Sequence, residues 1–398
     1  MKILVIGNRI PVKAKDGGAL ATKQMLQILA ENGNTVDFIS LNTLKHFASD
    51  NEIFSELHFL NKVKFCTIDT SLKPYAALKN LLFSSKSYNL ERFYSQEFLS
   101  LILGEIKKEK YDIVQFEGLF STPYIQEIKR AGNFKLVVRT HNIEANIWSL
   151  LASKEKNKIK SWYLGKMAKR LRQEELKLYR FADGFMHIAD TDKQFFEEQF
   201  PDSIHTLIGY GINPAPQNEI VKIENSVCHI GSMEWQPNVE GLQWFLKEVW
   251  PLVLSKEKDA KMYIAGKAMP EEFTRGTWQN VSVIGEVENA AHFMQQHEIL
   301  VVPLHSASGI RIKTIEAIAL GVCVISTPVG AQGLPLQHGK EIWIENTATK
   351  FADAIVTLLQ NKQIAKEIAS QGMAKAEEEF ALLSISEKIQ SFYQSLLS

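Results

Sequence analysis

The stretch Ser308-Gly-Ile-Arg-Ile-Lys-Thr-Ile-Glu316, continued by Ala317-Ile-Ala-Leu-Gly321 and Val324-Ile-Ser-Thr-Pro328, decides the fold. Before it, Ile299 to Leu304 is a short apolar run of strand length. Ile310 to Leu320 has helical spacing, with Ile312, Ile315 and Ala319 as the expected packed stripe. Gly321 stops that helix, and Cys323 to Ser326 reads as the next strand. Strand, loop, helix, glycine and strand in this order form the unit of a parallel sheet with helices on both faces.

Working outward, the same alternation fills both halves. In the second half, Val227 to Ile230, Lys261 to Ala265, Val281 to Ile284 and Ile342 to Ile344 read as strands, and Asn238 to Leu254 as a helix capped by Asn238. In the first half, Lys2 to Ile6, Thr35 to Leu41, Asp112 to Phe116, Lys135 to Arg139 and Gly184 to Ile188 read as strands. Ala19 to Glu31 and Phe98 to Lys108 carry helical spacing. Gly209-Tyr-Gly-Ile-Asn-Pro-Ala-Pro216 punctuates the chain as a linker. The expected organisation is α/β: a first domain over 1–208, a linker over 209–224, and a second domain over 225–380. Open parallel sheets bind ligands beyond the carboxyl ends of their strands.

Composition narrows the function. The chain has 398 residues, 45% of them hydrophobic, with 45 basic and 45 acidic side chains. That balance argues against a general nucleic-acid binder. Cys66, Cys228 and Cys323 have no metal-ligand spacing, and a reducing compartment is the simplest setting. The apolar run in MKILVIGNRIP is too short for a secretory core, and the longest uncharged stretch, Ala317 to Gly339, is broken by glycine and proline. The expectation is a cytoplasmic protein that at most touches a membrane surface.

The chemistry concentrates at 308–316. Ser308 or Gly309 sits where the helix should start, and free N–H groups there suit a phosphate. Arg311 and Lys313 add cations; both reach one diphosphate only if Arg311 leans towards the helix start. Lys313 and Glu316 share a helix face, so a surface ion pair explains the same spacing.

The pattern G-x-R-x-K-x-x-E-A-x-A-x-G-x-x-V-[IV]-S-T resembles the nucleotide-sugar site of GT-B glycosyltransferases, specifically family-4-like retaining enzymes (glycosyl transferases group 1). The resemblance spans most of the chain, with the Gly17-Gly18 pair, the Thr-His-Asn-Ile-Glu segment and the Gly-Ser-Met-x-Trp-x-Pro-Asn segment in the expected order. It implies two facing Rossmann-like domains with an interdomain cleft, the donor held mainly by the second, and a final helix, 381–398, crossing back to the first. Glu316 would hydrogen-bond the donor ribose, as a carboxylate can with a vicinal diol. Arg311 and Lys313 would hold the diphosphate, with Ile310 beside them. Where many members carry a Glu eight residues earlier, this chain has Ser308, and the loop Gly231 to Asn238 lacks the Arg and Lys of many members. Gly231 and Ser232 would still offer N–H groups, and Glu286 and Val287 would line the nucleobase. Trp235 is read as packing of the interdomain floor.

In the first domain, Arg139-Thr-His141-Asn142-Ile-Glu144 ends a strand, which places His141 to bond a sugar hydroxyl or move a proton. Asn142 and Glu144 are acceptor-side candidates, Glu144 also as the group that orients His141. Asp16-Gly17-Gly18 lets the backbone approach a ligand, although a plain turn explains it equally. From Lys154 to Arg180 ten Lys or Arg face three Glu, with Trp162, Tyr163, Leu164, Met167 and Leu171 interleaved. This is either a basic amphipathic helix that docks on anionic lipid or on a phosphate-bearing acceptor, or a solvated face.

The expected activity is transfer of a sugar from a nucleotide-diphosphate sugar to a hydroxyl acceptor, with retention, in glycan, polysaccharide or glycolipid biosynthesis. Expected partners are that donor, a glycan, lipid-linked or small-molecule acceptor, and no nucleic acid; no metal or other cofactor is implied. A nucleotide-sugar 2-epimerase of the same fold and a non-catalytic sugar-nucleotide or glycan-binding protein are the alternatives.

Overall fold

The computed structural model describes residues 1–13, 17–212, 220–306 and 309–398. Ser308 and Asp16 therefore lie outside the described residues, as do residues 213–219 of the expected linker. The chain divides into one unit of Met1–Tyr210 with Ser386–Ser398 and a second of Gly211–Ile385.

The first unit is built on seven strands: β1 (Lys2–Gly7), β2 (Thr35–Thr43), β3 (Lys62–Ile68), β4 (Ile113–Glu117), β5 (Lys135–Thr140), β6 (Gly184–His187) and β7 (Ile204–Leu207). Their order is β3-β2-β1-β4-β5-β6-β7, and every pair is parallel. The order reverses between β1 and β4, so the loops after these two strands open a crevice. β1, β4 and β6 are buried along nearly their whole length because helices cover both faces. Leu4, Ile6, Phe116, Leu136 and Val138 form the middle of that core.

The second unit repeats the plan with β8 (Ser226–Ile230), β9 (Lys261–Ala265), β10 (Val281–Gly285), β11 (Ile299–Val302), β12 (Cys323–Ser326) and β13 (Trp343–Ile344), ordered β10-β9-β8-β11-β12-β13 and again parallel. Its reversal lies between β8 and β11. Helix Gln236–Trp244 passes so close to the loop after β11 that a side chain at Gly241 would stand 2.4 Å from the Pro303 carbonyl oxygen.

Several details depart from the sequence reading. Strands β3 and β7 were not expected; both are edge strands whose half-exposed residues lack a continuous apolar run. Asn238 is not an N-cap: Trp235 holds that place, and the Asn238 amide donates to the Ser232 carbonyl at 2.9 Å. The helix after it widens into one π-type turn, Phe245–Val249, just ahead of Pro251, which has no N–H to donate. The basic stretch from Lys154 to Arg180 is one helix over Lys158–Tyr179, with Lys154 closing the separate helix Glu144–Lys154 before it. Asn157 divides them, its side-chain oxygen accepting from the N–H groups of Ile159 and Lys160.

Candidate active site

In the second unit the motif folds later than the sequence reading placed it. The helix is Ile312–Ala319, not a run from Ser308 or Gly309. Gly309 has φ +72°, which favours glycine, and Arg311 is extended at φ −92°, ψ 91°. The Arg311 carbonyl accepts from Thr314 N–H at 2.9 Å and Ile315 N–H at 3.2 Å, so Arg311 is the N-cap and its side chain starts outside the helix. The buried face is Thr314, Ile315, Ala317 and Ile318, one step from the stripe expected; Ile312 and Ala319 are only half-buried.

That start position puts Arg311 in an unusual setting. The residue is only 8% exposed. Its guanidinium lies 5.6 Å from the Trp235 ring centroid, and Nη1 has no hydrogen-bond partner among the described residues. Burial lowers its pKa from 12.5 to about 10. A buried cation held mainly by an aromatic face is a site short of an anion. Trp235, read from sequence as floor packing, is thus the face on which Arg311 rests.

Lys313 and Glu316 form the ion pair that their spacing allowed, Nζ to Oε2 at 2.6 Å, on the exposed side of the helix. Glu316 is therefore engaged by Lys313 through one of its two carboxylate oxygens. Ile310 and Gly309 are half-buried beside them.

At the ends of β8, β9 and β10 the backbones of Gly231, Gly266 and Gly285 meet. A Cβ on Gly266, whose φ is +149°, would fall 1.8 Å from the Gly231 oxygen. Gly231 N–H donates to the Ala265 carbonyl at 3.1 Å, so it is not open to a phosphate as the sequence suggested. The Ser232 hydroxyl lies 3.4 Å from a Glu234 carboxylate oxygen. Glu286 is exposed and Val287 half-buried in the turn after β10.

In the first unit, sequence reasoning found His141 but missed its partner. His141 Nε2 lies 2.9 Å from Glu117 Oε2, at the carboxyl end of β4. That carboxylate oxygen also accepts from Arg139 Nη1 at 3.1 Å and Thr22 Oγ1 at 3.2 Å, while Oε1 accepts from Gln115 Nε2 at 2.6 Å. Burial works against the charge on Glu117, but Arg139 and the bonds from His141 and Gln115 outweigh it and hold the pKa at about 2. Tyr393, on the C-terminal helix, donates to the Gln115 oxygen, so that helix supports the same network. With Nε2–H on a carboxylate, the Nδ1 edge of His141 is the one left for a substrate.

Glu144 does not orient His141. Burial raises its pKa to about 7, against a hydrogen bond from Asn142, and its N–H donates to Glu175. Buried Glu175, pushed to about 8, and half-buried Asp192, pushed to about 7, complete an acidic group with Glu144. Gly17 and Gly18 form the first turn of helix Gly17–Glu31, with the Gly18 carbonyl accepting from Thr22 at 3.0 Å. Among the described residues no group of three or more His, Cys, Asp and Glu is placed to hold a metal ion.

Two parallel sheets with the Rossmann strand order, one per unit, define the architecture of GT-B enzymes. Residues 224–361 match the family described as glycosyl transferases group 1. Across 99% of this chain and 100% of its own, the fold matches Anabaena HepE crystallised with UDP, with TM-score 0.64 and 15% identity. Sucrose-phosphate synthase from Thermosynechococcus elongatus matches with TM-score 0.65 and 14% identity, covering 100% of this chain and 99% of that one. A Klebsiella pneumoniae protein described as an uncharacterized 44.6 kDa protein in the cps region is 24% identical over 95% of this chain and 96% of its own. The chain therefore has the fold of GT-B enzymes, and its second unit carries the match to glycosyl transferases group 1.

Proposed function

We propose that this chain transfers a sugar from a nucleotide-diphosphate sugar to a hydroxyl acceptor with retention, in the synthesis of a glycan, polysaccharide or glycolipid. The observation that carries this reading is Arg311, a buried cation whose Nη1 has no partner among the described residues, at the start of an eight-residue helix. A diphosphate supplies the missing anion and accepts bidentate bonds from a guanidinium. HepE has been crystallised with UDP-glucose, which supports a uridine donor, and the cps-region relative supports a polysaccharide product. Three buried free thiols fit a cytoplasmic setting.

On donor binding, Lys313 leaves Glu316 for the diphosphate and Glu316 takes the ribose hydroxyls. The exchange costs little, because an exposed ion pair is worth about 0–1 kcal/mol. As the bond from sugar to phosphate breaks, Arg311, Lys313 and the first-turn N–H groups of the helix stabilise the charge growing on the departing oxygen. That oxygen takes the acceptor proton on the same face, which keeps the configuration and asks for no separate protein base. His141, held by Glu117, bonds a sugar hydroxyl through its other ring nitrogen. No metal takes part in this scheme.

A thermal-shift screen of UDP-, GDP-, ADP- and TDP-sugars, followed by product analysis, tests the reading. Only ligands that favour the folded state raise the melting temperature. The proposal expects one base to be preferred, slow release of nucleoside diphosphate without acceptor, and a rate unchanged by EDTA. Conversion of donor to its epimer, or binding with no turnover on any acceptor, would refute it.

A further inference from the structure

We propose that the first unit docks on an anionic lipid surface through a face made by helix Pro74–Phe83 and the start of helix Lys158–Tyr179. The first of these helices is inside out. Its only buried residue is Asn80, whose amide donates to Glu91 at 2.5 Å and whose side-chain oxygen accepts from Arg170 at 3.2 Å. Arg170 also donates to the Leu81 carbonyl at 3.1 Å. Polar bonds thus fasten the helix to the protein, while Tyr75 at 80%, Leu82 at 65% and Phe83 at 83% exposure point outward with Leu78. A surface helix in water normally does the reverse.

The neighbouring helix adds to this face. Ile159 is 80% exposed, and Leu78, Ile159 and Trp162 line a shared open groove of about 480 Å³. Charge says what covers it. Segments 72–83 and 150–166 carry seven lysines (Lys73, Lys79, Lys154, Lys156, Lys158, Lys160 and Lys166) against one carboxylate, Glu155, which Lys160 already pairs at 2.5 Å. Lys166 sits 5.3 Å over the Trp162 ring. Exposed aromatic and leucine side chains in lysine-rich segments match a bilayer interface, where apolar groups enter the headgroup region and lysines meet anionic lipid. No helix among the described residues is long and apolar enough to cross a membrane, so this contact is peripheral.

The test is sedimentation of the full chain with phosphatidylcholine vesicles, with or without about a third phosphatidylglycerol, at low and high salt. Binding is expected only to the anionic vesicles and is expected to weaken with salt. Each lysine near the surface is worth about fivefold in affinity, so changing Lys154, Lys156, Lys158 and Lys160 together to Gln should lower binding at least about tenfold. Tyr75→Ser with Phe83→Ser should lower it about as much while the melting temperature stays at the wild-type value, since both side chains are exposed. Absence of binding to anionic vesicles, or equal binding by wild type and both variants, overturns the proposal. So does a concentration-dependent dimer that the Tyr75 and Phe83 changes abolish, which would make this a contact between copies.

Discussion

Replacing Arg311 with methionine should make the protein more stable and less able to bind its donor. The folded chain holds the Arg311 guanidinium where burial lowers its pKa from 12.5 to about 10. For a cation, a lowered pKa means that the fold carries it at a cost at every pH below about 10. That fall corresponds to about 3 kcal/mol. Methionine fills similar space without the charge, but loses the contact with Trp235, worth ~1–2 kcal/mol for a desolvated cation on an aromatic face. The net gain is roughly 1–2 kcal/mol, read by calorimetry without donor as a rise of roughly 2–8 °C for the second unit. The same change removes charge-assisted bonds to the diphosphate, worth ~1.5–3 kcal/mol, so affinity by isothermal titration should fall about 10- to 100-fold. A variant that melts below wild type would show that Arg311 is not held at a cost, and one that binds donor equally well would show that it is not a donor ligand.

Other variants probe the remaining residues. Glu316→Ala should weaken donor binding at least about tenfold while moving stability by less than about 1 kcal/mol, because the Lys313 pair is exposed; titration and urea unfolding read the two effects. His141→Ala should lower the transfer rate more than donor affinity, separable by single-turnover kinetics. Glu117→Gln keeps the shape of the network but leaves Arg139 buried without its counter-charge, so the first unit should lose ~3–5 kcal/mol, measured by hydrogen exchange in β4 and β5. Glu175→Gln should flatten the pH dependence of stability. The folded pKa of about 8 lies above the ordinary 4.5, so wild-type stability falls as pH rises from about 5 to 8, and the variant, with nothing to ionise there, should lose that part of the slope in melting scans.

The sheet interiors were legible because buried parallel strands are continuous apolar runs, as in Lys2 to Ile6 and Cys323 to Ser326. The edge strands β3 and β7 were not, since half-exposed segments such as Ile204–Leu207 carry no such run. The Lys313–Glu316 pair followed from spacing alone. Arg311's position did not, because it depends on where the chain leaves the φ +72° turn at Gly309, a shift of one or two residues that decides whether the side chain begins inside or outside the helix. Glu117 escaped because its partners come from β5, helix Gly17–Glu31 and the loop after β5, which no local pattern brings together. One signal was present: Gln115 and Glu117 are polar residues inside an otherwise apolar strand, Ile113–Glu117, and buried polar groups need partners.

Arg311, Lys313 and Glu316 are proposed to receive a nucleotide diphosphate together. A crystal of this chain soaked with the preferred nucleotide sugar tests it most directly. Phosphate oxygens should lie within hydrogen-bond distance of Arg311 Nη1 and of Lys313, with the Lys313–Glu316 bond broken and the ribose hydroxyls on Glu316. A nucleotide bound elsewhere, with Arg311 still resting only on Trp235 and the ion pair intact, would contradict it.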